Sequence, residues 1–305
     1  MGKRILLFLA TNILVIITLS TILHLVGFTG FRATNYINYE QLALFCLVWG
    51  MGGAFISLLM SKMMAKWMMG VKIVDQRSEF SSLVQKIHAL ARKAGLTKMP
   101  EVGVYQSTDL NAFATGPSKN NSLVAVSTGL LNKMNEDEVE GVLAHEISHI
   151  ANGDMVTMTL LQGVINAFAM FLARIIAFAI DQAMRGDRDD GRGLGYFAYY
   201  IVVILFESVF LMLGSIVVAS FSRWREFRAD YGSAKLAGKD KMIQALQALQ
   251  RNYPQLALAQ SQGDNSKNAF KSMQISDRPS WFALFSSHPP LEARIAALRR
   301  STTLL

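Results

Sequence analysis

Apolar residues along this chain fall into long unbroken runs and short periodic ones. Four runs, at residues 5–26, 42–60, 155–180 and 196–221, each approach or exceed the about 20 helical residues that cross a hydrocarbon core. They come as two pairs, which predicts two transmembrane helical hairpins. Between the pairs, residues 78–95 place Phe80, Leu83, Val84, Ile87, Leu90 and Ala91 on one helical face, with Gly95 as a stop and His88 off the face. Strand-like runs at 101–106, 112–115 and 123–127, separated by Asp, Asn, Gly, Pro and Ser, predict a small sheet. Asn135 ahead of Glu136, Asp137 and Glu138 reads as a helix N-cap with an acidic first turn and a capping-box partner, for a helix running to about Asn152 and Gly153. Residues 239–251 read as helix, 255–276 as a mobile loop rich in Gln, Ser, Asn, Ala and Gly, and 291–300 as a last helix entered through Pro289 and Pro290.

Composition strengthens the membrane reading. Hydrophobic residues are 51% and charged residues 17% of the 305, with a mean hydropathy of +0.28, too apolar for an ordinary soluble chain. The first run follows Lys3 and Arg4, exceeds a signal core in length and lacks a small-x-small cleavage site, so it is expected to stay as an anchor. The net charge of +8 does not point to nucleic acid, because Lys and Arg are scattered without an aromatic-interleaved patch. Their placement gives a topology. Lys3 and Arg4 precede the first run, Lys62, Lys66, Lys72 and Arg77 follow the second, and Arg223, Arg225 and Arg228 follow the fourth, which puts these ends in the cytoplasm. One connector carries Arg32 alone; the other mixes Arg185, Arg188 and Arg192 with Asp187, Asp189 and Asp190, a poorer fit to the rule. The sole cysteine, Cys46, lies within a run and has no intrachain disulfide partner. Arg174 and Glu207 fall inside the third and fourth runs, where charges are costly, and can pair with each other.

Candidate chemistry centres on His145-Glu146-Ile147-Ser148-His149, in the helix that Asn135 caps. A spacing of four stacks both imidazoles on one helical face, able to bind one ion, and Glu146 lies beside that face to take a proton from water. Zinc needs a third protein ligand and an open position. After the fourth run, Glu226 and Asp230 are again four apart: one carboxylate can bind metal while the other accepts a hydrogen bond from a ligating histidine. His24 and His88 have no partner at ligand spacing and read as structural.

With these motifs in place, the chain resembles the HtpX family of bacterial heat-shock membrane proteases, related to the CAAX prenyl proteases of the gluzincin group, over nearly its whole length. The resemblance implies an α+β membrane protein with a mainly helical, zincin-like catalytic domain and a small sheet. Residues 1–66 and 154–221 would be the two hairpins, and 67–153 and 222–305 the two parts of the catalytic domain. It implies one zinc ion per chain, with His145, His149 and Glu226 as ligands, Glu146 as general base and Asp230 behind the ligands. Asn111, Ala112, Phe113 and Ala114, running on to Thr115-Gly116-Pro117, resemble a substrate-pairing edge strand in which the Asn side chain holds the peptide backbone. His288 and Arg294, around Pro289-Pro290, resemble a late element that approaches the active site, with His288 as an oxyanion donor and Arg294 facing substrate. The implied activity is zinc endopeptidase cleavage of misfolded or damaged membrane proteins at the cytoplasmic face of the bacterial inner membrane, in quality control and stress response. Partners of such an enzyme are its protein substrates, the lipid bilayer, further copies of the chain and other quality-control proteins.

Three other readings compete. Intramembrane metalloproteases carry their histidines inside an apolar span, whereas here the motif follows the charged approach Asn135 to Glu140. Prenyl-protein processing, as in the CAAX enzymes, uses a chamber built from more spans than four. A non-catalytic zinc scaffold would close the metal with four ligands and leave Glu146 no task.

Overall fold

The computed structural model describes Ile17, Thr21, His24, Leu25 and residues 38–185, 193–261 and 286–301. The expected span at 5–26 apart from those four residues, the connector charges other than Arg185, and residues 262–276 of the expected loop lie outside the described residues. In chain order the elements are α1 (Tyr39–Met68), β1 (Lys72–Val74), α2 (Ser81–Lys93), β2 (Glu101–Tyr105), β3 (Ala112–Ser118), β4 (Asn121–Ser127), α3 (Thr128–Lys133), α4 (Glu136–Asn152), α5 (Asp154–Arg185), α6 (Gly195–Ala237), α7 (Lys239–Ser261) and α8 (Leu291–Arg300). They divide into two compact units, Met1–Leu58 with Met158–Val218, and Leu59–Thr157 with Ala219–Leu305.

In the first unit, helices α1, α5 and α6 are long and apolar enough to cross a membrane. Their contacts give the packing sense. Asp181 accepts from the Leu194 backbone N–H, Arg174 meets Glu207, and a Cβ at Gly214 would lie 2.4 Å from Ile165, so α5 and α6 run antiparallel. Leu42 and Cys46 of α1 pack among Met170, Phe171 and Ile175 of α5. A Cβ at Gly50 would sit 2.4 Å from the Ala167 backbone nitrogen, so glycine permits the close approach of α1 to α5. Leu205, Met212, Leu213 and Val217 stay exposed on α6, an apolar surface suited to lipid. Arg174 donates to Met170 O at 3.0 Å and to Glu207 Oε2 at 3.3 Å, and its guanidinium stands 5.2 Å from the Phe45 ring centroid.

The second unit holds the sheet, in the order β1-β2-β4-β3. The β2–β4 pair is parallel and the outer pairs are antiparallel, so β3 is an edge strand. One face, with Val102, Val104, Val124 and Val126, packs on Leu83, Val84 and Ile87 of α2 and on Leu143, Ile147 and Ile150 of α4. The other carries Tyr105, Leu123, Ala125 and Phe113 against Ala65 and Val71. Both faces are covered, which is why β4 reads as a continuous apolar run rather than an alternating one.

The Asn135 capping box is present: its side chain accepts from the Glu138 N–H, and Glu138 reaches back to the Asn135 N–H. Gly153 ends α4 in the left-handed region at φ 74°. Three features differ from the pattern. Strand β1 has three residues, too few to show alternation. Helix α7 continues through Pro254 to Ser261 where a loop was expected from 255, because Leu256-Ala257-Leu258-Ala259 are strong helix formers. Helix α6 does not stop at Phe221 but runs on to Ala237.

The α5–α6 ion pair should be energetically coupled. Arg174→Ala and Glu207→Ala together should destabilise the protein by less than the sum of the single changes, with a coupling of about 0.5–3 kcal/mol in thermal unfolding in detergent. Strict additivity would show that the two charges do not stabilise one another.

Candidate metal centre

Helix α4 brings His145 and His149 together, their Nε2 atoms 3.1 Å apart. The extension of α6 adds Glu226, with Oε2 3.4 Å from His145 Nε2 and Oε1 3.3 Å from His149 Nε2. All three residues are buried. These separations are long for charge-assisted hydrogen bonds, which run about 2.7–2.9 Å. The two separations to Glu226 match the edge of a tetrahedron, in which an ion about 2.0–2.1 Å from each ligand holds its ligands about 3.3–3.4 Å apart, and the Nε2 pair at 3.1 Å is slightly inside it.

The far side of each ring explains its orientation. His149 Nδ1 lies 2.6 Å from Asp154 Oδ2, and His145 Nδ1 lies 3.0 Å from Asp230 Oδ1. With each Nδ1–H donating to a carboxylate, both Nε2 lone pairs point into the same small space as the Glu226 carboxylate. Three donors so aimed repel each other unless a cation sits among them. The site also favours positive charge. Burial disfavours the His145 imidazolium, but the carboxylates of Asp230 and Glu226 outweigh it and raise the pKa to about 9. Burial likewise opposes ionisation of Glu226, yet His145, His149 and His288 hold it well below the usual carboxylate range. A metal ion would take the place of that proton and release it on binding.

Arg294 of α8 is 6% exposed and forks onto Asp230, with Nε 2.8 Å from Oδ2 and Nη2 2.6 Å from Oδ1. Its Nη1 stands 3.4 Å from Glu226 Oε2, so the guanidinium braces two carboxylates from behind. His288 is exposed, with Nδ1 3.1 Å from Glu226 Oε2. Its segment is tied down by Arg223, which donates to Ser286 O at 2.8 Å. Glu146 is half-buried, and among the described residues no hydrogen bond occupies its carboxylate. It shares with His145, Glu226 and His288 a recess of about 190 Å³ that Leu110, Asn111 and Ala112 also line.

Asn111, just before β3, exchanges hydrogen bonds with Ser127: the Ser127 N–H donates to Asn111 O at 2.9 Å, and the Asn111 N–H donates to Ser127 Oγ at 3.2 Å. Bonded and non-bonded pairs alternate in an antiparallel ladder, so Phe113 opposite Ala125 is the next bonded pair. The N–H and C=O groups of Ala112 and Ala114 therefore face the open edge. The Phe113 side chain turns the other way and packs 5.8 Å from the Tyr105 ring.

Asp154 is absent from the residues the sequence singled out. A signal was there: it is the one charged residue between His149 and Arg174, placed where an apolar run begins. Such a charge had no visible partner until the Gly153 turn folded it back under His149.

Helix-borne histidines, a remote glutamate and a carboxylate with no hydrogen bond among the described residues are the arrangement that a metallopeptidase site would use. The Peptidase family M48 model matches residues 77–302. The chain is 49% identical to the protease HtpX homolog of Bacillus licheniformis, over 98% of this chain and 99% of that protein. It is 48% identical to protease HtpX of Shewanella baltica strain OS185, over 98% and 100%. The crystal structure of S. mikatae Ste24p superposes with a TM-score of 0.61 at 19% identity, covering 98% of this chain and 66% of that one, which shows a shared fold. The chain belongs to peptidase family M48, among its HtpX-type membrane metalloproteases. That family is zinc-dependent, and the donor set found here fits zinc.

If Asp154 and Asp230 orient the two histidines, Asp154→Ala and Asp230→Ala should each weaken zinc binding about 10–100-fold in chelator competition. Zinc affinity unchanged by either substitution would show that the ring orientations do not depend on these carboxylates.

Proposed function

We propose that the chain is a zinc endopeptidase that hydrolyses misfolded or damaged membrane proteins at the cytoplasmic face of a bacterial inner membrane. One zinc per chain would be held by His145, His149 and Glu226. The observation that carries this reading is the Glu146 carboxylate, without a hydrogen bond among the described residues, in the same recess as His145 and Glu226 of the converging group His145, His149 and Glu226. When bound, zinc supplies a Lewis acid that acidifies water and polarises a carbonyl.

The chain's own residues supply the rest. The open N–H and C=O groups of Ala112 and Ala114 pair with the substrate backbone as an added strand, and the exposed Asn111 side chain holds the peptide beside them. Glu146 takes a proton from the attacking water, whose oxygen bonds to the scissile carbon. As the C–N bond breaks, Glu146 passes that proton to the leaving nitrogen. His288 donates a hydrogen bond to the developing oxyanion, a contribution of about 3 kcal/mol to lowering the barrier. Arg294 acts through Asp230 and Glu226, keeping the ligands in place, since its guanidinium is buried against them.

The substrate class and orientation rest on sequence. Apolar helices before and between the metal-binding segments support a peptidase at a bilayer, and the Lys and Arg clusters at 62–77 and 223–228 support the cytoplasmic side.

The test is cleavage of an unfolded protein by enzyme purified in detergent, stripped of metal and reloaded with zinc. Glu146→Gln should bind one zinc yet cleave about 10²–10⁴-fold more slowly. Wild-type turnover by that variant would sink the mechanism. Inverted membrane vesicles address the setting: damaged membrane proteins should be cut at their cytoplasmic segments, and cutting only at opposite-face segments would reverse the orientation.

A further inference from the structure

Where α1 leaves its apolar run, a hollow opens on its flank. Leu59, Lys62, Met63, Lys66 and Trp67 of α1 line it, together with Pro117 and Asn121 at the adjoining ends of β3 and β4, and all of them belong to the second unit. Leu59, Met63 and Trp67 recur at every fourth position, which makes them one stripe along the helix, and all three are exposed. Lys62 and Lys66 form the neighbouring stripe.

The two ammoniums are gathered by one acid. Lys62 Nζ lies 2.7 Å from Glu101 Oε1 and donates to Asn121 Oδ1 at 2.7 Å, and Lys66 Nζ lies 2.7 Å from Glu101 Oε2. Burial opposes ionisation of Glu101, but the two lysines hold its carboxyl below the usual range. A single carboxylate thus keeps two like charges side by side and balances only one of them. No carboxylate is among the residues that line the hollow, and the ammoniums carry more N–H donors than these contacts use. An anion between them would accept charge-assisted hydrogen bonds from both.

We infer that this hollow binds an anionic phospholipid of the surrounding bilayer, its phosphate between Lys62 and Lys66 and the first carbons of its tail against Leu59 and Met63. The level on the helix selects a lipid. The apolar run ends at Met60, and at about 1.5 Å per residue Lys62 and Lys66 stand about 3 and 9 Å beyond it, which brackets the headgroup layer of about 5–8 Å on each side of the hydrocarbon. Trp67 fits the same level, since tryptophan concentrates where membrane meets water. At about 530 Å³ the hollow falls within the about 300–1,000 Å³ that whole small ligands occupy, so it has room for a headgroup and the glycerol behind it. A soluble phosphate would use the lysines but leave the stripe of Leu59, Met63 and Trp67 in water, whereas a lipid covers that stripe as well.

The test is lipid retention by the full chain in detergent, equilibrated with equal amounts of phosphatidylglycerol and phosphatidylcholine and read by native mass spectrometry. The wild type should prefer phosphatidylglycerol at least about fivefold, the worth of one unbalanced lysine charge beside an anionic lipid. Lys66→Gln, which leaves Lys62 and Glu101 balanced, should remove most of that preference, and Lys66→Arg should keep it. Met63→Glu places a carboxylate at an exposed position of the hollow without touching either contact to Glu101, and it should also abolish the preference. Lys98→Gln, which removes an exposed lysine elsewhere in the second unit, should leave it unchanged. Thermal midpoints in detergent report that each variant folds. Equal retention of the two lipids by the wild type, or wild-type selectivity in both Lys66→Gln and Met63→Glu, overturns the inference. Displacement of the lipid by millimolar inorganic phosphate overturns it too, by assigning the lysines to a soluble anion.

Discussion

Two imidazole lone pairs and a carboxylate are held at 3.1–3.4 Å from one another in a buried space, and much of the second unit can be read as the means of enforcing that encounter. Left alone, the donors would rotate apart or hold a proton between them. Each ring is stopped by a carboxylate on its far nitrogen, Asp154 for His149 and Asp230 for His145. Asp230 and Glu226 are in turn held by Arg294, whose own charge is acceptable in the interior because two carboxylates face it. Glu226, Asp230 and Arg294 each have two or more partners, so removing one loosens the hold on several others.

The partners come from distant parts of the chain, yet each sits on an element with an independent reason to be rigid. Helix α4 is pinned at its start by the capping box and packed along its length against the sheet through Leu143, Ile147 and Ile150. Its other side meets α7 at Gly141, leaving Glu146 as the half-buried exception in the run of buried residues from Gly141 to Ile150. That exposure matters for the proposed chemistry: a base needs access to water, and its neighbours in the helix need to be dry.

How much of this the sequence shows depends on whether the signal is local. The His145–His149 spacing, the Asn135 cap and the entry of α8 at Pro289-Pro290 are encoded within a turn or two, and the structure has them where the pattern places them. The grouping of His145, His149 and Glu226 was open to expectation, since a metal site needs a third donor and Glu226 with Asp230 is a spaced pair, and the three lie close enough together that they could hold an ion. Asp154 was not, because its role depends on a chain reversal at Gly153 that no periodicity reports. Arg294 was expected to face substrate; its burial against Asp230 is a tertiary fact, invisible in a helix whose other arginines, Arg299 and Arg300, are exposed.

The continuity of α6 carries the argument one step further. The expected span ends near Phe221, but the helix proceeds without a break through Glu226 and Asp230 to Ala237. In a helix each residue turns the chain by about 100° and advances it about 1.5 Å, so Glu226 and Asp230, four residues apart, leave the same face one turn apart. A flexible joint after the apolar stretch would have freed Glu226 to swing, and a ligand that swings pays an ordering entropy at each binding event. An unbroken helix removes that freedom before any metal arrives. Asp154, the first residue of α5, holds His149 in the same way from within the second unit, so a residue just past the helix that carries the two histidines and another on the helix that carries Glu226 each fix the group's geometry.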